Sequence, residues 1–238
     1  MSWILGIDTS SAELSLGLLK DGEPFLSCSR YARNSHAEHI TGAMNFLLES
    51  SGIGPGDISY AGIAVGPGSF TGLRIGISFL KGFFLTSDTP ILPISSLHSM
   101  AESFTGADGS IAAIMDARQD RIFYARFEGG KDSLKRVSDD EIVSLQSSDN
   151  IIKKDDALLI DTLGYSNSSV LNSFKSYINV HMTNNLSLQR GLACAFIASR
   201  SIDAKNEWKR AKDILPNYMQ ESYAELKAKK ESSKHCTV

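Results

Sequence analysis

Cysteine is scarce in this chain. Cys28, Cys194 and Cys236 are odd in number and far apart, and no two form a C-x-x-C pair. That spacing excludes a disulfide scaffold and a zinc knuckle and fits a reducing compartment. An excess of positive charge is also missing. Lys and Arg number 24 against 27 Asp and Glu, a net charge of −3, so the chain lacks the clustered cations needed to grip nucleic acid on its own. Only the C-terminus is basic, where Lys227, Lys229, Lys230 and Lys234 oppose Glu231. This reads as a solvated tail, with a weak RNA contact as the alternative. No run approaches the about 20 uninterrupted apolar residues of a membrane helix. The opening Trp3-Ile4-Leu5-Gly6-Ile7-Asp8 has no basic stretch before a long apolar run, as a signal peptide would. The expectation is a soluble, cytoplasmic protein with no membrane partner.

What is present is enough apolar residue, 42% of 238, for one large domain or two small ones. Trp3 to Ile7 reads as a buried strand. Leu14, Leu16 and Leu18 alternate with Ser15, Gly17 and Leu19 as a second, and after the Asp21-Gly22 turn Pro24 to Ser29 forms a third. Ser35 and Glu38 have the spacing of a capping box. Ile40, Ala43, Met44, Leu47 and Leu48 then follow at helical spacing until Gly52-Ile53-Gly54-Pro55-Gly56 stops the helix. Ile58 to Val65 is a strand, Ser69 to Ser87 a helix, Ile91 to Ile94 a strand and Ser95 to Phe104 a short helix. A three-stranded meander followed by alternating α and β is the order of one lobe of the actin-like fold. Beyond it, Ile111 to Met115, Arg121 to Phe127 and Ala157 to Ile160 read as strands. An Ala-rich helix spans Ser187 to Asn206. Residues 130–156 and 164–185 are polar and ambiguous, and a lobe boundary is expected near Thr105-Gly106.

The main motif is Val65-Gly66-Pro67-Gly68-Ser69-Phe70-Thr71-Gly72-Leu73-Arg74-Ile75-Gly76, a strand entering a glycine turn and then a helix. Gly66 and Gly68 permit unusual backbone angles. Ser69 or Thr71 can cap the helix. Gly72 and Gly76 share a face one turn apart, so another backbone can come close. The spacing G-x-G-x-x-x-G is one residue longer than a dinucleotide fingerprint, and the acidic Asp88 comes before the next strand instead of ending it. Leu73-Arg74 stands where a phosphate-binding P-loop needs G-K-[ST]. A helix N-terminus can still attract an anion, but a turn with a close helix contact is an equal reading.

Ser35-His36-Ala37-Glu38-His39 offers His36 and His39 as metal candidates. A third ligand and the H-E-x-x-H pattern are both missing, so surface or interface histidines are the expectation. No G-x-S-x-G nucleophile elbow occurs.

The sequence GPGSFTGLRIG resembles the signature of the TsaB (YeaZ) family. Ile7-Asp8-Thr9-Ser10, Ser35-His36-Ala37-Glu38-His39, Pro93-Ile94-Ser95-Ser96-Leu97, Met115-Asp116-Ala117-Arg118 and Leu215-Pro216-Asn217-Tyr218-Met219 resemble its other motifs. The similarity spans about residues 3 to 220. The resemblance implies an actin-like ATPase (ASKHA, ribonuclease H-like) α/β fold. It has two lobes, each a mixed sheet flanked by helices: residues 1–104 with the partner-binding helices, and a reduced lobe 105–238. In that second lobe the C-terminal helix packs back and a basic tail starts near Lys227. It also implies a paralogue relationship with the catalytic subunit TsaD, whose metal is held by an H-x-x-x-H pair. In this chain that pair falls on Ser96 and Met100, with His98 between, and Ser and Met suit such a metal poorly. The superfamily's D-x-G-[ST] phosphate loop becomes Asp8-Thr9-Ser10-Ser11, which leaves Asp8, Thr9 and Ser10 as weak phosphate contacts at most, with turn capping favoured. The nearest thing to a second phosphate loop is Asp161-Thr162-Leu163-Gly164.

On that resemblance the chain is expected to be a non-catalytic subunit with no cofactor or metal of its own, ATP and metal belonging to partner subunits. The implied partners are TsaD, in a heterodimer, the small ATPase TsaE, and tRNA reached through the complex. Self-association as a homodimer in isolation is left open. The implied reaction moves a threonylcarbamoyl group from threonylcarbamoyl-AMP to N6 of adenosine 37 in tRNAs reading ANN codons. Gly66 to Arg74 with Gly76, His36 and His39 form the expected partner surface. The alternatives are a glycoprotease-like metallopeptidase, which needs a bound metal and an activated water, and an autonomous ATPase.

Overall fold

The computed structural model describes residues 1–102, 109–130, 133–161, 168–174, 176–177, 179–182, 189–204 and 207–219. The expected lobe boundary at 105–106 and the basic tail from 227 lie outside them.

Five strands make the first sheet: β1 (Trp3–Asp8), β2 (Glu13–Lys20), β3 (Glu23–Tyr31), β4 (Ile58–Gly66) and β5 (Ile91–Ser95), in the order β3-β2-β1-β4-β5. The first three pair antiparallel, and β1, β4 and β5 run parallel. Asp21 and Gly22 both have positive φ, 51° and 88°, the mirror-image turn that suits a tight hairpin. Period-2 patterning then divides the sheet's faces. Leu5, Ile7, Leu16 and Leu18 meet α1 (His36–Ser51) and α2 (Phe70–Phe83) through Met44, Leu47, Ile77 and Leu80, with Phe84 just past α2. Ile4 and Leu19 point the other way, into a cluster with Cys194, Ala195 and Ala198 of α5 (Arg190–Arg200).

The helix α5 lies unusually deep on that second face. Gly6 pairs with Gly17 and with Gly62 across three neighbouring strands. A Cβ at any of the three would strike the α5 backbone, at Gly191, Leu192 or Cys194. The glycine row is a trough cut to let a helix approach.

The second sheet holds β6 (Gly109–Arg118), β7 (Arg121–Gly130), β8 (Ser133–Arg136), β10 (Ala157–Ile160) and β11 (Val180–Met182) in the order β11-β10-β6-β7-β8, with β9 (Glu141–Ser144) also on β7. Helices α3 (Ser96–Glu102) and α4 (Ser168–Ser173) accompany it. Leu97, Met100 and Ala101 of α3 pack on Met115, Phe123 and Phe127. Two mixed sheets flanked by helices, the first with the meander-plus-parallel order above, make the actin-like α/β fold the sequence pointed to.

Several expectations needed correction. Ser35 makes no side-chain cap, and its φ and ψ of −131° and 19° are not those of an extended N-cap. It sits inside a turn, its N–H donating to Ala32 O after Asn34 at φ 61°, so its hydroxyl does not reach the helix start. The α2 helix ends at Phe83, and α5 covers 190–200 instead of 187–206; of that longer span 187–188 and 205–206 lie outside the described residues. The polar stretch 130–156 contains β8, β9 and a 3-10 turn at Leu145–Asn150.

Residues 207–219 form a strap across the molecule. Lys209 bridges to Ile91. Ala211 and Ile214 enter the first core, Asn217 N–H donates to Val65 O at 2.7 Å, and Met219 packs against the core of the second sheet.

Candidate functional site

The signature loop joins β4 to α2 and is the point where three segments converge. Gly66 and Gly68 have φ of 128° and 151°, and the Gly66–Pro67 peptide is cis. Ser69 N–H donates to Ser10 O at 2.7 Å, and Ser69 Oγ caps the helix by accepting from Gly72 N–H at 3.1 Å. A Cβ on Gly66 would strike Asn217 O, one on Gly68 would strike Ser10 O, and ones on Gly72 and Gly76 would strike Thr9. The motif's glycines therefore serve contacts within this chain. Leu73 is buried and Gly76 faces Thr9.

The outer side of the loop is aromatic and cationic. Phe70 stacks on Tyr218 with centroids 4.4 Å apart. The Arg74 guanidinium lies 3.9 Å from the Phe70 ring centre, and its Nε donates to Tyr218 Oη at 2.7 Å. Thr71 and Arg74 are exposed.

Helices α1 and α2 lie side by side, joined by Ile40, Ala43, Ile75 and Phe79. Their exposed positions include Ala37, Thr41, Gly42 and Phe46 beside Glu38, Asn45 and Glu49 on α1, and Ser78 and Gly82 beside Thr71 and Arg74 on α2, with Leu85 just beyond. Phe46 is 54% and Leu85 79% exposed. A Cβ at Gly42 or Gly82 would meet nothing within 4 Å, so nothing in the chain's own packing asks for glycine there, although glycine weakens a helix by about 1 kcal/mol relative to alanine. These two glycines lie outside the signature motif. Their signal was available as helix-breaking residues on the polar side of an amphipathic helix.

Between the start of α2 and the turn before α1 lies a cavity of about 280 Å³, lined among others by Arg33, His36, Ser69, Thr71 and Arg118. Two guanidinium groups, two hydroxyls and the α2 N-terminus suit an anionic group such as a carboxylate or phosphate. His36 is 4% exposed, and its Nε2 has no partner. Burial pushes its pKa down, opposed by the Glu13 and Ser11 carbonyls and by Asp8. His39 is half-buried. Among the described residues no three His, Cys, Asp or Glu side chains come together as a metal site.

The Asp8 carboxylate is 1% exposed and accepts from Ser10 N–H and Ser10 Oγ at 2.8 and 2.6 Å, and from Ser99 Oγ at 2.6 Å. It caps its own turn. Thr9 Oγ1 is buried without a partner against α2. Ser96 is buried, and the Met100 sulfur receives a hydrogen bond from Arg190. His98 stacks on Phe127. Burial, with the Arg136 and Arg200 charges, holds its pKa down to about 4. Asp161 pairs with Arg190; residues 162–164 lie outside the described residues.

Comparison with known proteins adds the lineage. The family model for TsaD, tRNA N6-adenosine threonylcarbamoyltransferase, matches residues 30–224. The tRNA threonylcarbamoyladenosine biosynthesis protein TsaB of Bacillus subtilis is 32% identical over 153 residues, 64% of this chain and 67% of that protein. TsaB of Haemophilus influenzae is 32% identical over 126 residues, 52% of each chain. The matched part thus spans about half to two thirds of these relatives. YeaZ from Pseudomonas aeruginosa superposes with a TM-score of 0.75 at 22% identity, over 92% of this chain and 100% of that one, which establishes the shared fold. Taken with the signature loop and the strand order that presents it, these matches mean that this chain belongs to the TsaB family, also known as YeaZ.

Proposed function

We propose that the chain serves tRNA threonylcarbamoyladenosine biosynthesis as a non-catalytic subunit that binds and activates TsaD. The reaction it supports moves the threonylcarbamoyl group from threonylcarbamoyl-AMP to N6 of adenosine 37 in tRNAs reading ANN codons. TsaE is a further partner, tRNA is met through the complex, and ATP and metal belong to the partner subunits. The family's names supply the pathway. The observation that carries the pairing is the outer α1–α2 face, where Gly42 and Gly82 stand open beside exposed Phe46 and Leu85. Glycines with nothing of their own chain to accommodate suit the close approach of a partner helix, and an exposed aromatic beside an open glycine suits an interface anchor.

The alternatives gain little support. A peptidase needs a metal-bound water, and the ligand set is not found among the described residues. An ATPase needs phosphate loops, and Asp8 is already spent on Ser10 and Ser99.

Co-purification with the TsaD of the same organism tests the pairing. Leu73 and Gly76 are poor probes, because both are buried in this chain's own core. Phe46→Asp and Gly82→Arg change only the outer face. The expected result is a stoichiometric complex with the unsubstituted chain, lost in both variants while circular dichroism and Tm hold. A complex that survives both substitutions moves the interface elsewhere.

A further inference from the structure

We propose that Arg190 is a resident cation that locks the two sheets together, filling with the chain's own side chain the crevice where an open α/β sheet takes its ligand. That crevice lies beyond the carboxyl ends of the strands. The strand β1 ends there in Asp8 and β10 is followed there by Asp161, one acid from each sheet. Arg190 is 1% exposed and Asp161 7%. Its Nη2 stands 3.1 Å from Asp161 Oδ2 and 3.1 Å from the Met100 sulfur on α3.

The backbone that presents Arg190 is held firmly to the first sheet. Gly191 N–H donates to Ser15 Oγ at 2.9 Å, and a Cβ on Gly191 would strike the Ser15–Leu16 backbone. The guanidinium thus starts from a helix seated on one sheet and ends on an acid of the other.

The hydrogen bonding shows that charge, not fork geometry, keeps it there. Nε and Nη1 are buried without partners. An arginine retained for its planar fork would use those donors, whereas a buried cation retained for its charge needs carboxylates near it. Burial works against the charged guanidinium, and the Asp161, Asp8 and Glu13 carboxylates act in the opposite direction and favour it. Met100 is also one of the two positions where the resemblance to TsaD would put a metal-binding histidine, and here it touches a guanidinium. The crevice carries its own positive charge, so closing the two sheets requires neither metal nor nucleotide.

A double-substitution cycle on the full chain tests this by thermal unfolding. Arg190→Met leaves the buried carboxylates unneutralised and is expected to lower Tm by about 10 °C, the size of effect for breaking a buried pair in a chain of this length. Arg190→Met combined with Asp161→Leu removes both charges and is expected to recover at least half of that loss, or to fold where the single variant does not. A double variant no more stable than Arg190→Met overturns the proposal, and so does a single variant as stable as the unsubstituted chain.

Discussion

At the scale of single residues, His98 shows how far a side chain's chemistry departs from what its position in the sequence suggests. It lies between Ser96 and Met100 on α3, where a metal ligand was the natural question. The ring stacks on Phe127 and stays neutral, its pKa held down to about 4 by burial with help from Arg136 and Arg200. The unfolded chain takes up a proton near pH 6.5 and the folded chain does not until near 4. This contribution is therefore intact above the unfolded pKa and fades as pH falls through the interval. Between pH 7 and pH 5 it amounts to about 2 kcal/mol. Glu102 and Asp140, raised by burial, bind protons more readily when folded and act in the opposite sense. The comparison must therefore be a difference. Urea unfolding at pH 7 and pH 5 is expected to show that the unsubstituted chain loses about 2 kcal/mol more than His98→Gln. Equal losses would mean that the imidazole is charged or solvated in the folded protein.

At the scale of elements, the first half was legible because each strand and helix states its period plainly. Leu16 and Leu18 enter one core with Met44, Leu47 and Leu48 of α1, and Leu14 packs in the neighbouring cluster with Ile40. Strands β8 and β9 were not legible. Each has four residues beside β7, too few to establish a period, and their pairing is a long-range fact. Glycine is where sequence reading was weakest, since the letter alone does not say what the missing Cβ makes room for. Gly17 is open so that α5 can lie on the sheet, Gly76 is open for Thr9, and Gly42 and Gly82 have nothing above them. These differences fix opposite signs. In the isolated chain Gly42→Ala and Gly82→Ala are each expected to raise stability by about 0.5–1 kcal/mol, the ordinary gain in a helix. Gly17→Ala forces α5 off its trough and is expected to cost about 2 kcal/mol or more, in the range of overpacked cores. Thermal unfolding by circular dichroism reads all three. A stabilising Gly17→Ala would mean that α5 is not seated as described.

At the scale of the whole molecule, the sheets are tied by α3, by α5 through Arg190 and by the strap 207–219, so the outer face of α1 and α2 is presented by a braced body. Gly66, Gly68, Gly72 and Gly76 make close contacts with Asn217, Ser10 and Thr9 of the same chain, while Thr71 and Arg74 of the motif, and Gly42, Phe46 and Gly82 outside it, are exposed. A braced face with Phe46 and Leu85 exposed has a consequence for the chain alone. The same patch on two copies can meet about a two-fold axis, each Phe46 packing on the small residues of the other copy. Pairing of this kind depends on protomer concentration and competes by mass action with any heterologous partner. Sedimentation equilibrium of the isolated chain is expected to show a monomer–dimer equilibrium that Phe46→Asp shifts wholly to monomer. Added TsaD is expected to convert the dimer into a one-to-one complex, since both pairings use one face. A dimer that persists in Phe46→Asp, or that binds TsaD without dissociating, would separate the two surfaces. The open glycines of α1 and α2 would then be left to one of them only.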